Sequence, residues 1–172
     1  MGVHQLWFVD GDYVHFSGGS GDFIPTHPLD CQFYRCIDVR NPAQPVEVCR
    51  WWFPGTRKGD DIPPPPRHPK FDSGFRAHNT NVYPERPDRV YLGYLDGGTI
   101  ILDISNMTQP KLLCHWNPHP PFPEPLLTCK INFKKRNFAV CRGAERLPGF
   151  DCSQPAVDVQ GNSSSGETEL RS

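Results

Sequence analysis

Asp38-Val39-Arg40-Asn41-Pro42-Ala43-Gln44-Pro45 recurs 65 residues further on as Asp103-Ile104-Ser105-Asn106-Met107-Thr108-Gln109-Pro110. A tryptophan stands six residues past each final proline, Trp51 and Trp116. Val48-Cys49 and Leu113-Cys114 keep the same offset, so Trp51, Trp116, Cys49 and Cys114 read as equivalent core positions. The match runs backwards too. Asp12-Tyr13-Val14-His15-Phe16 resembles Asp88-Arg89-Val90-Tyr91-Leu92, and His4 faces His78. The first copy needs 22 residues from Phe16 to Asp38 where the second needs 11 from Leu92 to Asp103, so it carries an 11-residue insertion. The insertion holds Gly18, Gly19, Gly21 and Pro25, which suits a loop at a hairpin tip.

Each copy predicts four short strands, in the second at about 78–83, 89–95, 98–104 and 110–116. Val90, Tyr91, Leu92 and Tyr94 are strand formers, and Asp96-Gly97-Gly98 is a hairpin turn signal. Thr99 to Ile104 is nearly all apolar, as a strand buried on both faces requires. Twenty prolines and fifteen glycines speak against a helical protein. Four strands per repeat of roughly forty residues are the pattern of a β-propeller blade. The expected fold is therefore all-β: an incomplete propeller of two four-stranded antiparallel blades. The expected divisions are 1–53, a first blade with its insertion; 54–76, a proline-rich connection; 77–118, a second blade; and 119–172, a divergent, largely disordered tail. Pro63 to Pro66 favour an extended polyproline conformation, read as a loop crossing the propeller face rather than an SH3-type ligand.

Lys and Arg number 18 against 19 Asp and Glu, so no global field draws the chain to nucleic acid or an anionic membrane. A local basic run, Lys130 to Arg146, comes with no stacking motif. No apolar stretch is long enough to span a bilayer. The first residues lack the basic-then-apolar pattern of a signal peptide, so the chain reads as cytoplasmic. Seven cysteines, an odd number without an export signal, argue against a disulfide framework. Cys31 and Cys36 have no second pair with which to form a zinc site.

No nucleophile elbow, P-loop or zinc-protease motif is present, so no catalytic residue is assigned. Asp38 and Asp103 could be read as catalytic. Recurring once per repeat at a strand end before Asn-Pro or Ser-Asn-Met, they read instead as turn caps that accept backbone N–H groups.

Thr99-Ile100-Ile101-Leu102-Asp103-Ile104-Ser105-Asn106 resembles the signature of the LVIVD-repeat proteins, a β-propeller family found widely in bacteria. The resemblance spans about 4–118 and fails at the insertion, the proline-rich connection and everything after Pro120-Pro121-Phe122. It implies a segment of a larger ring, because two blades cannot close one, and open edges invite self-association. Three functions are consistent with it. The first is a non-catalytic binding or scaffold module with no cofactor, meeting a protein or small molecule at its loops, 17–32 and 54–76. The second is a metal-dependent oxidoreductase. His4 and His78 open equivalent strands, and in a propeller these line the central channel. The family is distantly similar to selenium-binding-type propellers, which implies a copper- or iron-binding, thiol-oxidising role there. His15 is a poorer ligand, since its counterpart is Tyr91. The third is a fragment with no independent function.

Overall fold

The computed structural model describes residues 2–8, 10–70 and 72–117 in full, and the backbone of 126–132, 137–142 and 145–146. The described residues are all strand, turn and loop, with no helix. The first sheet is β1 (Val3–Phe8), β2 (Tyr13–Gly18), β3 (Phe33–Asp38) and β4 (Val46–Trp51), in that spatial order. The second is β5 (Ala77–Tyr83), β6 (Arg86–Tyr94), β7 (Gly98–Asp103) and β8 (Lys111–Trp116), again in chain order. Every neighbouring pair in both is antiparallel. Such a meander needs only hairpins, which the glycine- and proline-rich turns supply.

The two sheets agree residue by residue. Tyr13↔Asp38 through Gly18↔Phe33 has the register of Arg89↔Asp103 through Tyr94↔Gly98. Only the loop between differs, and it holds the inserted residues. Cys36 pairs with Cys49, and Ile101 with Cys114, each pair followed at once by a bulge. The turns after β3 and β7 are built alike. Asp38 Oδ1 accepts the Arg40 N–H at 3.0 Å, and Asp103 Oδ1 accepts that of Ser105 at 2.8 Å. Asn41 and Asn106 then accept the N–H groups of Ala43 and Thr108 through Oδ1, both at 3.2 Å. These are Asx turns, which spare the backbone an unpaired donor.

The strand β7 is buried along nearly its whole length, which accounts for its unbroken apolar run. Val90, Leu92, Tyr94, Ile100 and Leu102 from the second sheet join Tyr34, Cys36 and Cys49 from the first, with Phe53 and Ile104 just past β4 and β7, in one core. Sheet one meets sheet two through β1 and β2 against β5. Cys49 is buried in this core, whereas Trp51, Cys114 and Trp116 are half-buried. Trp51 stands edge-on to Tyr94 at 5.8 Å between ring centroids.

Most of 119–172, expected to be largely disordered, lies outside the described residues. Within that span the backbone of β9 (Leu126–Asn132), β10 (Asn137–Arg142) and β11 (Glu145–Arg146) forms a three-stranded antiparallel sheet. Its β9 packs against β5 and β6, as β5 packs against β1 and β2.

Candidate functional site

The first candidate is the histidine pair on the first strands of the two sheets, β1 and β5. In β1 the register shifts between Val3 and Gln5, and in β5 between Ala77 and Asn79. His4 and His78 are thus the extra residues of two equivalent bulges. A bulge removes a residue from the alternation of the ladder and re-aims its side chain. The two imidazoles lie 4.2 Å apart between ring centroids, tilted by 59°. The bridge between the strands is polar. Gln5 Oε1 accepts the Thr80 N–H at 3.1 Å, and Ser17 Oγ donates to the His78 carbonyl at 2.8 Å. His78 Nδ1 is 2.7 Å from Asn79 Oδ1. Partial burial, the neighbouring His78 and the Arg76 guanidinium all lower the His4 pKa. This direction favours the neutral imidazole, the form that ligates metals. Among the described residues no group of three His, Cys, Asp or Glu side chains is arranged to hold a metal ion.

The second candidate is on the loops. In an antiparallel meander the β2–β3 and β4–β5 connections emerge at the same end of the sheets, so 19–32 and 52–76 share one face. They are zipped together there. Thr26 N–H donates to the Thr56 carbonyl and Lys58 N–H to that of Ile24, both at 2.8 Å, while Thr26 Oγ donates to the Gly55 carbonyl at 3.0 Å. Asp30, 1% exposed, ties the same loops to the second sheet. It accepts Arg67 at 2.9 Å and the Phe75 N–H at 2.8 Å, and Arg67 continues to Asp72. Asp96 accepts the N–H groups of Ser73 and Gly74, both at 2.8 Å.

These ties leave an open groove of about 430 Å³ lined by Arg50, Trp51, Trp52, Pro54, Asp60 and Ile62, among others. Asp60 orients its wall by accepting Trp52 Nε1–H at 3.1 Å and the Gly55 N–H at 2.9 Å. The Arg57 guanidinium lies over the Trp52 ring, 5.1 Å from its centroid, a cation–π contact. Aromatic walls and both signs of charge thus stand together on hydrogen-bonded loops. The roles of Trp52 and Asp60 were not visible in the sequence, where Trp52 fell at the end of the first blade and Asp60 in the connection. A Trp-Trp pair followed eight residues later by Asp-Asp was the available signal.

No protein-family model matches the chain, and no curated protein matches it. No helix among the described residues is long and apolar enough to cross a membrane.

Proposed function

We propose that the chain forms two blades of an LVIVD-type β-propeller and acts as a non-catalytic binding module through its loop face. The observation that carries this reading is the packing of two sheets of the same strand order, with matching register in β2–β3–β4 and β6–β7–β8, through β1 and β2 against β5, with both long loops joined at one end. Neighbouring blades of a propeller meet in this way. A further feature supports continuation of the ring. Gln5 and Trp7 face β5, through Thr80 and Tyr83, so strand alternation puts Leu6 and Phe8 on the opposite face. They are 55% and 54% exposed there, where a preceding blade would cover them.

A photoreactive amino acid at Ile62, beside the groove, tests the binding role when compared with one at Val46, at the opposite end of the sheet. Cross-links formed in cells at Ile62 only, and lost on Trp52→Ala, are expected. Equal capture at both positions, or capture indifferent to Trp52, refutes the loop-face reading.

The closeness of His4 and His78 favours a second reading, a transition metal held on the inner strands. The residues fit it only in part, since two imidazoles leave such an ion short of ligands and further blades would have to supply the rest. Elemental analysis of the purified chain beside a His4→Ala/His78→Ala variant decides it. Stoichiometric metal lost in the variant supports the metal reading, and equal content in both rejects it.

A further inference from the structure

The two sheets provide an internal comparison at one core position. In the second, Cys114 faces Ile101 across the ladder, an ordinary apolar pair. In the first, the equivalent of Ile101 is Cys36, so Cys49 faces a second thiol. The fold therefore does not require a dithiol there. Both thiols are free and buried, Cys36 completely. Directly opposed residues of an antiparallel pair have Cα atoms about 4.5–5.5 Å apart, inside the roughly 4.4–6.8 Å that a disulfide spans.

The surroundings differ as well. Cys36 Sγ donates to Met107 Sδ at 3.7 Å, so a turn of the second sheet brings in a third sulfur. Met107 stands where the first copy has Pro42. The buried Tyr34 hydroxyl lies 2.9 Å from His15 Nδ1 and interacts electrostatically with both thiols. Its counterpart in the second sheet is Thr99. The neighbouring Cys36 thiol lowers the Cys49 pKa against the effect of burial, with Tyr34 adding to it, while the Cys49 thiol and then burial raise that of Cys36. Cys49 is the one on the outermost strand β4, which has a neighbour on one side only and so opens more readily.

We infer that Cys36 and Cys49 are a redox-responsive cross-strand pair that closes to a disulfide under hydrogen peroxide. The Cys49 thiolate attacks one peroxide oxygen. An S–O bond forms, the O–O bond breaks and hydroxide leaves, taking a proton to become water. The Cys36 thiol then attacks the sulfur of the resulting sulfenic acid, forming the S–S bond, while its proton leaves with the second oxygen as water. Two thiols and one peroxide thus give one disulfide and two waters. The product fastens β4 to β3.

The sequence makes the test direct. Trypsin cuts after Arg35, Arg40 and Arg50, so Cys36 and Cys49 leave on separate peptides, 36–40 and 41–50. After equimolar peroxide and thiol alkylation, non-reducing peptide mass mapping of the full chain should show these two joined as the dominant cross-link. In Cys36→Ile, which copies the second sheet, the cross-link should vanish and Cys49 should stop at the sulfenic acid, trapped by dimedone. The inference is overturned if both thiols of the wild-type chain stay alkylatable. It is overturned equally if Cys49 links no more often to Cys36 than to Cys31 or Cys114. The wild-type map decides even if Cys36→Ile fails to fold.

Discussion

His15 has 2% of its surface exposed and one ring nitrogen against the Tyr34 hydroxyl. Burial lowers its pKa from 6.5 to about 4, with the Asp10 carboxylate pulling weakly the other way. An unfolded chain takes up this proton near pH 6.5, and the folded chain resists until about 4. The stabilisation from keeping His15 neutral is therefore complete above the first pH and lost as pH falls to the second. It amounts to about 3 kcal/mol at most. Urea unfolding between pH 7 and 4 should show this loss, and His15→Gln should flatten that part of the profile. At Asp30 a buried carboxylate serves Arg67 and the Phe75 N–H together. Asp30→Ala leaves both donors without it. It should cost about 3 kcal/mol in chemical denaturation, well above the cost of losing a surface ion pair such as Arg40–Asp38.

At the scale of the element, the loops are ordered by backbone geometry that only glycine tolerates. Gly55 has φ +81°, and an added Cβ would overlap the Pro63 carbonyl oxygen of the polyproline stretch. Gly59 has φ +92°, but open space surrounds its missing Cβ. Gly55→Ala should therefore lower the thermal midpoint clearly more than Gly59→Ala, because it adds a clash to the conformational strain. Strands, turns and sheet boundaries were legible in the sequence because each depends on local pattern. The run Thr99 to Ile104, the Asp96-Gly97-Gly98 turn and the 65-residue offset carry that information. The inserted length between Phe16 and Asp38 even matches the extra loop between β2 and β3. The bulges at His4 and His78 were not legible, since a bulge depends on pairing with the next strand. The ladder between Thr26 and Thr56 and the reach of Asp30 to Phe75 join distant segments that have no shared pattern. The pairing of Cys36 with Cys49 was hidden for another reason. Cys49 was explained by its repeat partner Cys114, and Cys36 was compared with Cys31 rather than with Ile101.

At the scale of the whole molecule, β1 and β2 of one sheet meet β5 of the other, and the two sheets share one core. The uncovered face of β1, with Leu6 and Phe8, offers apolar surface to a second copy. Sedimentation should show concentration-dependent self-association, weakened by Leu6→Lys/Phe8→Lys. A monomer at all concentrations would argue that this face is stable in water. The propeller reading rests most heavily on the contact between β1 and β5, where the His4 and His78 rings come within 4.2 Å. The most direct measurement is a through-space NMR experiment on chain labelled only at histidine, with His4→Gln used for assignment. Adjacent first strands predict a cross-peak between the His4 and His78 ring protons that disappears in His4→Gln. If no such cross-peak forms in the folded chain, the two sheets do not meet at their first strands, and the propeller arrangement fails.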